Sequence, residues 1–351
     1  MSIFDSTAFE GHEAVLAFHD RLTGLKSFIA IHSTARGPAA GGCRMWPYEN
    51  EQAAIDDALR LSRAMSYKNA VADLALGGGK AVIIGDSSLK SPVLFEAFGR
   101  AVATLGGRYW SAEDVGISPG DLAHARTTTR FIAGLEGHPA ASGDPSPVTA
   151  EGIRRGIALT VRRVHGTSLA GVTVAIQGTG HVGTCLAEKL AADGARLIIT
   201  DIDETAGRAV AERTGAAWSS PEAIFDADAQ VFAPCALGGA IGRGTPGRLK
   251  AGIVAGGANN QLADPEAGRA LFERGVVYAP DFVINGGGII NVAGEIRALE
   301  RGETFDPVWV EAKLARLMET LAEVLDRSLA ERRPTQEIAM EIARARIAAA
   351  G

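Results

Sequence analysis

The chain has 351 residues, more than one hydrophobic core ordinarily serves, so two domains are expected. Hydrophobic residues make up 46%, charged residues 22%, and the formal net charge is −6; no eighteen-residue apolar run and no basic patch interleaved with aromatics appears, which excludes a membrane helix and a nucleic-acid partner from the expectation. Cys43, Cys185 and Cys235 are odd in number and far apart, without zinc spacing, so reduced thiols in the cytoplasm and no metal are expected.

In chain order, Met1-Ser2-Ile3-Phe4-Asp5 has no basic n-region, so no secretory leader is expected. Apolar alternation over 28–33 predicts a strand, a 3.6-residue apolar period over 51–65 a helix, and the run 81–84 a buried strand. Residues 92–105 read as a helix opened by proline, and 108–111 as a strand leading into Ala112-Glu113-Asp114-Val115-Gly116. The breaker-rich stretch 138–147 marks the crossing between domains. Beyond it a helix over 149–164, a strand over 172–177, a helix over 182–192 and a strand over 195–200 follow, then short apolar runs at 229–232, 252–255 and 276–279. That rhythm predicts a doubly wound parallel sheet. The tail, 307–350, reads as helical with a break at Arg333-Pro334. The boundaries expected are 1–137, an α/β substrate and oligomerisation domain; 138–332, a Rossmann-type domain; and 333–351, a helix packing back on the first.

Two segments carry chemistry. Gly178-Thr179-Gly180-His181-Val182-Gly183 follows a predicted strand and opens a helix, with Asp201 at the end of the next strand 23 residues after Gly178. Gly178 permits the turn, Gly180 lets the backbone approach a pyrophosphate, and Gly183 lets helix and strand pack. Asp201, with Ile202 beside it, would bind the adenosine ribose, and its charge repels a 2′-phosphate, so NAD is the cofactor expected. His181 is read as solvated or capping and not catalytic.

The second segment is Gly77-Gly78-Gly79-Lys80, preceded by Lys68; the chain holds seven lysines among 35 basic residues, and two stand here. It is no phosphate loop, since Leu74 stands where that motif needs glycine and Ala81 where it needs Ser or Thr. The glycines allow close approach beside a lysine at the mouth of a buried strand. Desolvation there would favour the neutral lysine and suit it to act as a base, the alternative being a solvated strand-end lysine.

These segments resemble the glutamate/leucine/phenylalanine/valine dehydrogenases. The resemblance spans nearly the whole chain, on Gly41-Gly42-Cys43-Arg44-Met45, Met65-Ser66-Tyr67-Lys68-Asn69-Ala70, Gly77-Gly78-Gly79-Lys80, Ala112-Glu113-Asp114-Val115-Gly116, Ser146-Pro147-Val148-Thr149-Ala150 and Gly257-Ala258-Asn259-Asn260-Gln261. Within the family the sequence looks most like the phenylalanine-acting actinobacterial branch, with leucine or valine as the alternative substrate. The resemblance implies oxidative deamination of an L-amino acid to a 2-oxo acid and ammonia. It implies that Lys68 binds the substrate carboxylate, that Lys80 activates water, and that Asp114 handles protons at nitrogen. Gly42 and Asn260 would also touch substrate, and Asn260 the cofactor as well. It sets Arg44 near the cofactor, Ser146 and Thr149 at the nicotinamide end, and Cys235-Ala236-Leu237 with Gly257-Ala258 along it; a nucleophilic Cys235 is the sharper alternative, without a base beside it in sequence.

The side-chain pocket implied by resemblance is walled by Ala40, Ala112, Ile289 and Val292, and the smallness of Ala40 favours phenylalanine. A hydroxy-acid dehydrogenase would rely on His with Arg where two lysines stand here, and a non-catalytic NAD-binding regulator would need neither lysine. Exposed sheet edges suggest a homo-oligomer.

Overall fold

The structure, a computed structural model, describes residues 3–351; Met1 and Ser2, the start of the stretch read as lacking a leader, lie outside the described residues. The chain divides into two compact units. The first comprises Met1–Asp144, Ile289–Glu311 and Ala343–Gly351. It runs β1 (Ala14–Asp20), β2 (Leu25–Ser33), β3 (Ala39–Trp46), α1 (Glu51–Val71), β4 (Gly77–Ile84), α2 (Pro92–Ala103), β5 (Tyr109–Glu113) and α3 (Pro119–Arg126). Helix starts follow local chemistry. The Asn50 side chain accepts from the Ala53 amide at the head of α1, Ser91 from Leu94 at α2, and Ser118 forms a reciprocal capping box with Asp121 at α3.

The five strands pair in the order β1-β2-β4-β3-β5. β4 lies antiparallel to β2 and parallel to β3, so it is interior to the sheet, and Lys80 sits opposite Ala30 of β2. This corrects two expectations. The strand expected over 81–84 begins four residues earlier, because Gly77-Gly78-Gly79 has little intrinsic strand preference and is held extended by neighbours on both sides. β3 was not anticipated for the same reason: Ala-Ala-Gly-Gly-Cys becomes a strand only between two parallel partners.

The second unit comprises Pro145–Gly288 and Ala312–Ile342. After α4 (Ser146–His165) come β6 (Thr173–Gln177), α5 (His181–Ala192), β7 (Arg196–Thr200), α6 (Glu204–Thr214), β8 (Ala217–Trp218), β9 (Val231–Pro234), α7 (Thr245–Arg248), β10 (Ile253–Val254), α8 (Pro265–Glu273), β11 (Val277–Tyr278) and α9 (Asp281–Ile284). All strands are parallel in the order β11-β10-β9-β6-β7-β8. The order reverses between β6 and β9, the switch point at which such sheets bind ligands beyond the strands' carboxyl ends. The remaining helices are α10 (Gly287–Arg301), α11 (Pro307–Glu331) and α12 (Thr335–Ala348), with the break between the last two at Arg333-Pro334. Among the described residues no helix is long and apolar enough to cross a membrane.

The division differs from the contiguous blocks read from sequence. The crossing falls at Asp144, inside the expected loop, yet Ile289–Glu311 belongs to the first unit. The cause is a buried carboxylate: Glu295 of α10, 0% exposed, accepts from the amides of Gly134, Leu135 and Ser142 and from the Ser142 hydroxyl. A buried polar group with four donors to satisfy it fixes that helix where it is. The tail is likewise shared. Thr335 donates to the Tyr278 carbonyl in the second unit, whereas Arg346 donates to the Ala70 and Val71 carbonyls at the end of α1 in the first.

Candidate active site

In the first unit the residues of interest converge where the middle of β4 lies near β3 and the end of β5. Lys80 is 4% exposed, and its Nζ lies 2.8 Å from Asp114 Oδ2. A carboxylate on the Lys80 amine does not follow from any spacing in the sequence, and it makes the two groups an ion pair. Arg44 Nε donates to the same Oδ2 at 2.9 Å, and Arg44 also pairs with Asp57 Oδ2 at 3.1 Å. Burial pushes the Asp114 carboxyl upward, but the charges of Lys80 and Arg44 and their hydrogen bonds prevail and hold it below the usual carboxylate range.

The glycines set this geometry by being filled against. A Cβ on Gly42 would stand 2.7 Å from the Asp114 Cβ and 2.4 Å from the Glu113 carbonyl oxygen, so Gly42 makes the space that Asp114 occupies. On Gly78 it would meet the Ser66 amide and hydroxyl at 2.1 Å each, which is how α1, bearing Lys68 in its last turn, lies directly on β4. On Gly79 it would meet the Tyr109 ring at 2.6 Å. What approaches the glycines is therefore the protein itself. Tyr109, fully buried, donates its hydroxyl to the Gly41 carbonyl at 2.7 Å, and Asn69 donates to the Gly77 carbonyl at 2.6 Å. Neither support was singled out from sequence; an aromatic opening the strand before Ala112-Glu113-Asp114 was the available signal.

Lys68 is half-buried on α1. Ala40 and Ala112 are buried on adjacent strands, with Ala112 in register with Gly42. Ile289 and Val292 lie half-buried, one turn apart on α10.

The second unit gathers the other group. Gly178 takes φ +97° and faces Ala236, whose amide nitrogen would lie 2.7 Å from an added Cβ. A Cβ on Gly183 would meet the Gly178 carbonyl oxygen at 2.1 Å, and one on Gly257 the Val182 side chain at 3.1 Å. Gly180 alone in the turn is open, with nothing within 4 Å. It is the N-cap of α5, and no side chain caps that helix, so its first amides stand ready for an anion. Asp201 Oδ2 accepts from the Thr179 amide at 2.6 Å and hydroxyl at 2.9 Å. Burial raises the Asp201 carboxyl, but the Thr179 and Asp203 amides outweigh it and keep it low. An open glycine, an uncapped helix start and an ionised carboxylate at the next strand end fit a dinucleotide.

His181 is exposed at the first turn of α5, and Ile202 and Leu237 are exposed by 93% and 87%. Cys235, half-buried, accepts from the Gly257 amide, and burial pushes its thiol up to about 11, against the thiolate a nucleophile needs. Ala258 is buried behind Gly257, and Asn260 is exposed with φ +51° beside Gly238. Ser146 is buried in the first turn of α4, and Thr149 donates to the Pro145 carbonyl, with Gly288 giving its hydroxyl room.

Comparison with known proteins finds relatives over nearly the whole chain. Residues 12–131 match the Glu/Leu/Phe/Val dehydrogenase dimerisation domain, and residues 199–351 match the Glutamate/Leucine/Phenylalanine/Valine dehydrogenase model. A leucine dehydrogenase from Thermoactinomyces intermedius is 49% identical over 304 residues, 86% of this chain and 83% of that one. A phenylalanine dehydrogenase from Bacillus thermotolerans is 42% identical over 357 residues, covering 99% and 92%. Among solved structures, L-tryptophan dehydrogenase from Nostoc punctiforme superposes with a TM-score of 0.84 at 37% identity, over 97% of each chain.

Proposed function

Because the chain belongs to the glutamate/leucine/phenylalanine/valine dehydrogenase family and is an NAD-dependent amino-acid dehydrogenase, we propose that its preferred substrate is a branched-chain aliphatic L-amino acid, L-leucine first. The carrying observation is that the relatives are mostly leucine dehydrogenases, one of them 49% identical over 304 residues, with phenylalanine and valine dehydrogenases fewer. This reading replaces the expectation of phenylalanine, which rested on the resemblance to the phenylalanine-acting branch and on the smallness of Ala40. Selectivity is shared among several contacts, and Ala40, 1% exposed, packs in register between Gly78 and Trp110. A glutamate side chain is disfavoured, since Ala40, Ala112, Ile289 and Val292 offer no cation and an unpaired buried carboxylate is costly.

The amides at the start of α5 with Gly178 and Gly180 would hold the pyrophosphate of NAD, and Asp201 the adenosine ribose. When bound, NAD supplies the acceptor for the Cα hydride. Lys68 holds the α-carboxylate that substrate and product share. Lys80 and Asp114, 2.8 Å apart, act as one proton-exchanging pair. They take a proton from the substrate ammonium before hydride loss and another from water as its oxygen adds to Cα of the iminium. They return one to nitrogen and take the hydroxyl proton of the carbinolamine as its C–O bond becomes C=O, the C–N bond breaks and ammonia leaves; the two surplus protons pass to solvent. The match of the first unit to a dimerisation domain supports a homo-oligomer.

The test is a panel of L-leucine, L-valine, L-phenylalanine, L-tryptophan and L-glutamate with NAD, following NADH formation. L-Leucine or L-valine is expected to give the highest kcat/KM. A higher value for phenylalanine or tryptophan would overturn the aliphatic assignment while leaving the reaction type in place.

A further inference from the structure

The chemistry above uses one of the two cations on Asp114. The other, Arg44, enters from β3 and grips two carboxylates with different nitrogens: Nε on Asp114 at 2.9 Å and an Nη on Asp57 at 3.1 Å. Asp57, on α1, is braced in turn by the Tyr48 hydroxyl at 2.7 Å and by Arg60 at 2.5 Å. The Arg44 and Asp57 side chains are only 23% and 13% exposed. A guanidinium is a rigid planar fork, so two carboxylates from two elements fix its plane. The bond to Asp114 then has a set direction and leaves the other approach to the same oxygen for Lys80.

We propose that Arg44 is a positioning residue: braced by Asp57 and Tyr48, it keeps the Asp114 carboxylate charged and turned to Lys80. The resemblance set Arg44 near the cofactor; its donors face Asp114 and Asp57 instead. The inference rests on the reading of Asp114 as a proton carrier. The ionisable groups acting on Asp114 among the described residues are Lys80 from β4, Arg44 and Cys43 from β3, Tyr48 from the link after it and Tyr109 from β5, while Asp57 of α1 reaches it through Arg44. Of these only Lys80 and Arg44 are cations in contact with it, so removal of Arg44 leaves a largely buried carboxylate with one partner.

The test titrates Asp114 directly. The infrared carboxyl band of isotope-labelled aspartate is followed against pH in the enzyme without substrate, with Asp114→Asn used to assign the band. Arg44→Met is expected to raise the Asp114 midpoint by about one pH unit or more, the usual effect of a contacting opposite charge. The acid limb of kcat/KM should rise with it. Asp57→Ala, which frees the fork, should shift it the same way by less, and Asp57→Asn, which keeps an acceptor for Arg44 and Tyr48, should restore the original position. If Arg44→Met fails to fold, the Asp57 pair carries the test. An unmoved midpoint with weakened NADH binding by fluorescence would overturn the proposal and return Arg44 to the cofactor. Full activity in Asp114→Asn would refute the proton-carrier reading alone, and the infrared midpoint would still decide the role of Arg44.

Discussion

Two glycine clusters that look alike in the sequence do opposite things. Gly77-Gly78-Gly79 is closed: a Cβ on Gly78 would collide with the backbone of α1, and one on Gly79 with the Tyr109 ring. The turn Gly178–Gly183 is closed at both ends and open at Gly180, where nothing lies within 4 Å. In the first, glycine lets protein pack on protein so that Lys80 and Asp114 meet; in the second, it leaves room for something that is not protein. A glycine cluster is thus a ligand site only where one member is left unfilled.

The sharpest break of that comparison is chemical. Lys80→Ala should lower kcat by about a hundredfold or more, as removal of a general base does, while Lys68→Ala should chiefly raise KM for the amino acid. Steady-state kinetics checks both. Nearly as large is Gly78→Ala, expected to destabilise the fold by about 3 kcal/mol because neither the Ser66 amide nor the Ser62 carbonyl of α1 can give way. Denaturant unfolding measures it.

The contrasting change, Gly180→Ala, should alter stability by no more than about 1 kcal/mol, the scale of an N-cap replacement. NADH affinity should nonetheless fall about tenfold, or about 1.4 kcal/mol. Equal stability losses in Gly78→Ala and Gly180→Ala would erase the distinction between closed and open glycines. Asp201→Ala should narrow the preference for NAD over NADP by roughly tenfold, the scale of a lost charge-assisted hydrogen bond, read as the ratio of the two kcat/KM values.

The smallest effect lies at His32 of β2, where the strand meets α1. The His32 imidazole donates to or accepts from Ser66 Oγ at 2.8 Å and packs edge-on to His12 at 4.9 Å. Burial, then the charges of His12 and Arg63, push His32 down to about 4 from its ordinary 6.5. The folded state therefore binds fewer protons than the unfolded chain between those values. Its share of stability is complete above about pH 6.5 and is lost as pH falls toward 4. The Tm of the native chain should drop over that window more steeply than that of His32→Gln; parallel curves would refute the contribution.

How much was legible follows the range of each interaction. The turn Gly178–Gly183, Asp201 and the break at Arg333-Pro334 are local patterns, written within one strand-turn-helix or one residue pair, and the sequence alone determined them along with the family and the α/β class. The Lys80–Asp114–Arg44–Asp57 chain joins β4, the residue after β5, β3 and α1, and no spacing in the sequence encodes which carboxylate meets which cation. β3 and the first half of β4 have almost no strand preference of their own and exist because their neighbours supply the hydrogen bonds. The assignment of Ile289–Glu311 to the first unit hangs on one buried carboxylate, Glu295, and its four donors. Local conformational preference and charge type are properties of the chain; burial, partner and register are decided only when distant segments pack, because desolvation makes each polar group choose among the few partners that the tertiary structure brings within hydrogen-bond reach.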